Sequence, residues 1–315
     1  MAVDSVNEDT LKSQRRFGIS HRAQDNLTIV LFLLPGLLLF LVFVTYPIFQ
    51  SIYYSFFDWN GFGPAEDFIG LDNFTRILTD KIFLQAVQHG ILLVGLSVFI
   101  QLPLSLVLAV MVARDLPGRA LYRTIFFLPY VLSEVITALI WLTLLNPDPD
   151  RGLINAILVL IPGVDPQAFL GNPDIVLQSL FVVLTWKYFG LHLLLFLTGL
   201  QNIPVEIEEA ARIDGANRYQ LFTKITIPLL GSTIRTSAYL SIIGSLQQFI
   251  LVWIMTKGGP VNASEVMATY MYRFGFVRFW LGYGSAVAIV MFLISLFFSL
   301  IYQWLTPQRD YLGGV

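Results

Sequence analysis

Long stretches without a charged side chain alternate with short polar connections along this chain. No Asp, Glu, Lys or Arg lies between Asp25 and Asp58, Lys81 and Arg114, Arg235 and Lys257, or Arg278 and Arg309. Two further stretches are interrupted once each, Arg123 to Asp148 by Glu134 and Asp174 to Glu206 by Lys187. Each reaches the roughly 20 residues that an α-helix needs to cross about 30 Å of hydrocarbon. Lipid offers exposed backbone groups no partner, and these runs are too long and continuous for barrel strands. The pattern therefore predicts an all-α membrane protein with six transmembrane helices, near residues 28–49, 86–112, 124–145, 175–200, 236–256 and 286–305.

Punctuation refines this picture. Pro35, Pro47, Pro103 and Pro129 are expected to kink or end their helices. Asp72 or Asn73 is placed to cap a short interfacial helix, and Asn172-Pro173 to open the fourth span. A short apolar run from Leu153 ends at Pro162 and is too short to span. One membrane domain covers 26–307, between an arm at 1–25 and a tail at 308–315, and no internal repeat is visible. The first apolar segment starts too late and runs too long for a cleavable signal peptide.

Composition agrees. Of 315 residues, 56% are hydrophobic and 13% charged, against about 25% charged in soluble chains. Mean hydropathy is +0.71. These values exclude a disordered chain and argue against a soluble enzyme. A net charge of −2 without a basic run gives no attraction to nucleic acid. With no cysteine there is neither a disulfide nor a thiolate metal site, and His21, His89 and His192 lack metal-ligand spacing. Lys12, Arg15, Arg16 and Arg22, then Arg114, Arg119 and Arg123, then Arg212, Arg218, Lys224 and Arg235, then Arg309 fall on one side. The other side carries fewer cations and, in its first two loops, many acids. Cations favour the cytoplasm, so both termini are expected inside. The outer loops are short, so this chain is not itself a capture protein for a scarce solute.

The fourth connection, residues 204–228, reads as two helices where a turn would suffice. Pro204 begins the first, acids crowd its opening turn as the helix dipole prefers, and Gly215 closes it. Asn217 and Gln220 form a capping box for the second. By composition this is either an amphipathic helix resting on the inner leaflet or one docking on another protein. Glu209-Ala210-Ala211, three residues, Gly215, nine residues, then Ile225-Thr226-Ile227-Pro228 resembles the EAA loop of ATP-binding-cassette importer permeases, with Ile227 in place of Leu. Tyr122 to Pro129, Trp141, Gly152 to Asn155, Gly258-Gly259-Pro260, and Tyr272, Phe276 and Gly282 to Ala286 resemble the MalF-type sugar permeases.

The resemblance implies a MetI-like, type I importer permease fold with a cytoplasmic coupling helix. Glu209 would be its polar anchor in an ATPase cleft, Ala210, Ala211 and Gly215 would allow close approach, and Asp214 lies in the same docking segment. It implies a second, MalG-like permease, a dimeric ATP-binding subunit and an extracytoplasmic solute-binding protein as partners. The chain contains no G-x-x-x-x-G-K-[ST] phosphate loop, so ATP and Mg belong to the partner ATPase and no cofactor is expected here.

Polar side chains in hydrocarbon face either a partner helix or a water-filled path. Ser241, Ser245 and Gln248 share one helical face beside Gln247, and the resemblance aligns the first three with sugar-contacting positions. Trp186, Lys187 and Tyr188 form a second candidate patch, whose alternatives are ordinary packing and a Lys187–Glu134 bridge. No catalytic constellation or metal site is present. The reading is a permease subunit of an ATP-driven di- or oligosaccharide importer working by alternating access. The alternatives are a permease for a phosphorylated polyol, motivated by Lys187; an ion-coupled transporter using Glu134 and Lys187; and a non-transporting scaffold.

Overall fold

The computed structural model describes residues 21–113 and 119–306. The expected arm through residue 20, Arg114 and the tail 308–315 with Arg309 lie outside the described residues. The chain divides into two compact units between Tyr53 and Tyr54. The first contains helix α1 (Thr28–Tyr54), a candidate span with no buried residue in its most apolar stretch. A helix apolar on every side requires lipid or another chain around it.

The second unit begins with α2 (Asp72–Thr79), α3 (Lys81–Ala113), α4 (Arg119–Val131), α5 (Glu134–Leu144) and α6 (Leu153–Leu158). It continues with α7 (Val176–Gln201), α8 (Val205–Ile213), α9 (Arg218–Leu221), α10 (Gly231–Leu246), α11 (Ile250–Met255), α12 (Met267–Tyr272) and α13 (Leu281–Leu305). Among the described residues no strand forms beyond an isolated bridge between Phe57 and Phe68. Five helices are long and apolar enough to span, and a sixth span arises if α4 and α5 count as one. That third span differs from the expected continuous helix over 124–145: it breaks after Val131 and bends by 99°.

Pro129 lies two residues before α4 ends, but Pro47 and Pro103 do not end their helices. Pro47 and Pro103 each follow a five-residue π turn, Leu41–Thr45 and Ser97–Gln101. The residue before each proline donates its N–H five residues back, to Leu41 O and Ser97 O. The wider turn absorbs the missing amide and the ring's clash with the preceding turn, so the span continues. Pro228 repeats the device after Phe222–Thr226, and its short helix stops one residue later, at Leu229.

Several caps also differ from the sequence expectation. Asn73 is buried and donates from Nδ2 to Ser55 O at 2.9 Å and Phe57 O at 3.1 Å. Asp80 instead caps α3, accepting from Ile82 N at 2.7 Å and Phe83 N at 3.1 Å. Asn172 turns back on Asp174 N, so α7 opens later, at Val176.

Helix α7 is the centre of the unit. It contributes Leu180, Val183 and Leu184 to a core shared with Ala138 of α5 and Leu251 and Val252 of α11. Leu193, Phe196 and Leu197 join Ala109 and Val112 of α3 in another. A third core packs Leu246, Met267, Tyr270 and Val287 around Phe83. Gly190 lets α7 touch α4 directly, because a Cβ there would collide with the Phe126 carbonyl and lie 3.2 Å from Phe127 Cα.

Candidate functional site

Near the midpoints of α3, α7 and α10 the helices leave a cavity of about 220 Å³. Its polar lining is Ser97, Gln101, Tyr130, Tyr188, His192, Ser241, Ser245 and Gln248, completed by Leu184, Leu191, Leu240 and Gly244. Ser241 and Ser245 of α10 thus come together with Tyr188. Gln248 joins them from the break between α10 and α11, not from the same helical face, because the expected continuous fifth span is interrupted after Leu246. Gln247 is exposed, outside this lining. Ser97, Gln101, Tyr130 and His192 were not singled out for the solute path from sequence. Gln101 had a usable signal, as an amide deep inside a charge-free run.

The π turn of α3 presents Ser97 and Gln101 together. Ser245 Oγ donates to Ser97 Oγ at 3.2 Å, and Ser97 Oγ donates to Gln101 Oε1 at 3.0 Å. Other groups are left open. Ser241 Oγ, Gln248 Nε2 and His192 Nδ1 are buried without a protein partner. Each such group costs about 1–3 kcal/mol if nothing satisfies it, and these three border one cavity with room for a hydrogen-bonding occupant. No carboxylate or cation lines the space.

Lys187 turns elsewhere. It is buried, and its Nζ donates to Pro129 O at 3.2 Å, to Tyr130 O at 2.9 Å and to Leu132 O. These carbonyls belong to the end of α4 and the break behind it, where the last turn has no intrahelical donors and the dipole favours a cation. Across the break, Ser133 Oγ accepts from Val135 N at 3.3 Å and starts α5. The Tyr188 hydroxyl donates to the Glu134 carboxylate. Lys187 and Glu134 therefore hold the same break through different partners. Trp186 packs edge-on against Trp141 with ring centres 5.7 Å apart, outside the cavity lining.

The connection after α7 folds as its punctuation dictates. Glu206 and Glu208 occupy the first turn of α8, and Arg212 pairs with Glu208 at 3.3 Å. Gly215 takes φ +83°, while Gly215 N bonds Arg212 O at 3.1 Å and Ala216 N bonds Ala211 O at 2.9 Å. This is the paired turn that favours glycine after a helix. Asn217 and Gln220 exchange both bonds of a capping box at 2.9 Å. Glu209, Ala210, Asp214 and Gly215 are exposed, whereas Ala211 faces the chain itself and is 8% exposed. Val205 and Ile213, one turn before and after Glu209, are 65% and 85% exposed, so an apolar stripe flanks the carboxylate uncovered.

Residues 101–311 match the family described as binding-protein-dependent transport system inner membrane component. The chain is 36% identical over 281 residues to the probable ABC transporter permease protein YurN of Bacillus subtilis, covering 88% of this chain and 95% of that one. It is 32% identical over 288 residues to the diacetylchitobiose uptake system permease protein NgcF of Streptomyces coelicolor, covering 87% and 81%. It is also 32% identical over 265 residues to the multiple sugar-binding transport system permease protein MsmF of Streptococcus mutans, covering 84% and 89%. A chain in the crystal structure of a bacterial alginate ABC transporter, in complex with alginate pentasaccharide-bound periplasmic protein, aligns with TM-score 0.80 at 25% identity, covering 92% of this chain and 97% of that one. The likeness thus extends over most of the chain and to the MetI-like fold of importer permeases.

Proposed function

Because the chain belongs to the binding-protein-dependent transport system inner membrane components, we propose that it is the permease subunit of an ATP-driven importer of neutral di- or oligosaccharides. The observation that carries the reading is the mid-span cavity with three buried polar atoms lacking protein partners. Sugar hydroxyls both donate and accept, which suits a serine hydroxyl, an amide and an imidazole, and the Tyr130 and Tyr188 rings offer faces for a sugar ring. The relatives named for diacetylchitobiose and multiple sugars point to the same solute class.

The lining also ranks the alternatives. A phosphorylated polyol or an acidic sugar calls for a cation, yet none lines the cavity and Lys187 is engaged by backbone carbonyls. An ion-coupled mechanism leaves the exposed α8 stripe without a use.

In this reading a second, MalG-like permease supplies the other half of the path. A dimeric ATPase, carrying ATP and Mg, receives α8 through Val205, Glu209, Ala210 and Ile213, with Asp214 and Gly215 at the end of the contact. A solute-binding protein delivers sugar outside, both termini are cytoplasmic, and alternating access moves the solute. Uptake of radiolabelled neutral oligosaccharides into vesicles holding the purified complex tests this. ATP-dependent uptake that excess glycerol phosphate leaves unchanged is expected. Uptake driven by a proton gradient, or abolished by glycerol phosphate, would overturn it.

A further inference from the structure

A second cavity, of about 470 Å³, opens where α10 begins and α13 ends, at the end from which the α8–α9 connection enters. Ser232, Arg235, Thr236, Tyr302, Gln303 and Thr306 line it, so its side chains are hydroxyls, an amide and one guanidinium, with no carboxylate. Two cross-helix bonds hold the walls in place: Tyr302 OH donates to Arg235 O at 2.9 Å, and the Tyr239 and Ser299 hydroxyls meet at 3.1 Å. Arg235 is only partly exposed and forms no ion pair among the described residues. Its Nη1 lies beside Gly231, 3.9 Å from where a Cβ would stand.

The surroundings say where the ligand comes from. Arg235 is the last charge before the run to Lys257, which puts it at the edge of the hydrocarbon. On α13, next to the lining residues, Leu300, Trp304 and Leu305 are 57%, 79% and 63% exposed. An exposed tryptophan and leucines at a span's end form a lipid-facing surface at headgroup level.

We propose that this cavity is a phosphate-oxyanion site that holds the headgroup of an anionic phospholipid against the base of α10. The guanidinium fork matches two phosphate oxygens, Ser232 Oγ and the Gln303 amide hydrogen not given to Ser299 add donors, and the acyl chains lie along α13. The bound headgroup would fix the start of the helix that carries Ser241 and Ser245. Free inorganic phosphate shares the headgroup's chemistry but not its apolar contacts.

Native mass spectrometry of the purified transporter complex in detergent tests the site, and its readout needs no transport. Phosphatidylglycerol is titrated into the wild type, Arg235→Gln and Arg235→Lys, each with and without excess inorganic phosphate. The expected result is binding about tenfold weaker in Arg235→Gln, the loss of one charge-assisted contact, with Arg235→Lys in between. Inorganic phosphate is expected to displace little lipid. Ser232→Ala, which keeps the cation and removes one free donor, is expected to weaken binding less and guards against a folding defect in Arg235→Gln. Equal lipid retention by all variants would overturn the proposal. Full displacement by inorganic phosphate would overturn the lipid assignment.

Discussion

Two faces of α7, one residue apart, treat polar groups in opposite ways. On one, Lys187 spends its ammonium on the carbonyls of the broken third span. On the other, His192 and Tyr188 look into a cavity where Ser241, Gln248 and His192 retain unpartnered atoms. The charge, costly in hydrocarbon, is fully engaged by the fold, while the neutral polar groups stay available. A buried lysine in a span is therefore weak reason to infer an anionic solute, and loosely satisfied serines and amides are the better guide to the path.

Substitutions on the two faces should separate stability from transport. The largest expected effect is that of Lys187→Met, which strips a donor from three carbonyls and should destabilise the complex by about 3 kcal/mol or more. Thermal inactivation of the purified complex measures it, and uptake of the neutral sugar should fall in step with the loss of folded complex. Uptake of only a phosphorylated solute falling would restore Lys187 to the solute path. Gly190→Ala comes next: its methyl meets the Phe126 backbone, which cannot swing aside, so a loss of about 1–3 kcal/mol is expected in the same assay.

Away from α7, Gly215→Pro cannot adopt φ +83°, and Glu209→Ala removes the exposed carboxylate of α8. Both should lower sugar transport per ATP hydrolysed, with the thermal midpoint of the spans nearly unchanged. Normal coupling in both would remove α8 from the docking role.

The smallest effect concerns pH. Glu265 is buried outside the spans, paired with Arg273 at 2.6 Å and accepting from Thr269 Oγ1 at 2.9 Å. Burial raises its carboxyl above the ordinary value, and Arg273 and Thr269 partly oppose this. A carboxyl with a raised folded value binds more protons when folded. The anchorage of residues 257–273 should therefore weaken as pH rises from the unfolded value of about 4.3 through the folded one. Hydrogen exchange of that segment, corrected for intrinsic rates, should be more protected at about pH 5 than at about pH 8, and Glu265→Gln should flatten the difference.

Much of this was legible in the chain because the hydrocarbon filters charge so strongly. Four spans fall where Asp, Glu, Lys and Arg are missing, a fifth holds only Lys187, and the Asn217–Gln220 box and the Gly215 turn follow from local chemistry. Pro129 marked a kink or stop in the third span, but the sharp bend was hidden because Leu132 and Ser133 leave the charge pattern unchanged. The cavity was half legible. Helical spacing exposes residues that share one helix, such as Ser241 and Ser245, whereas Gln248 lies past the end of α10, and the Ser97–Gln101 pair, Tyr130 and His192 come from three other helices that only packing brings together. The partners of Lys187 were illegible for a similar reason, since backbone carbonyls leave no mark in a sequence.

The central claim is that the mid-span cavity carries a neutral sugar. It is tested most directly by Gln248→Leu, which replaces an unpartnered amide with an apolar side chain of similar length. Uptake of radiolabelled neutral disaccharides and trisaccharides is measured in vesicles beside ATP hydrolysis stimulated by the loaded binding protein. The account predicts uptake reduced about tenfold, the worth of one buried hydrogen bond to the solute, with stimulated hydrolysis and thermal midpoint close to wild type. Full uptake by Gln248→Leu, joined by full uptake in Ser241→Ala, would contradict it.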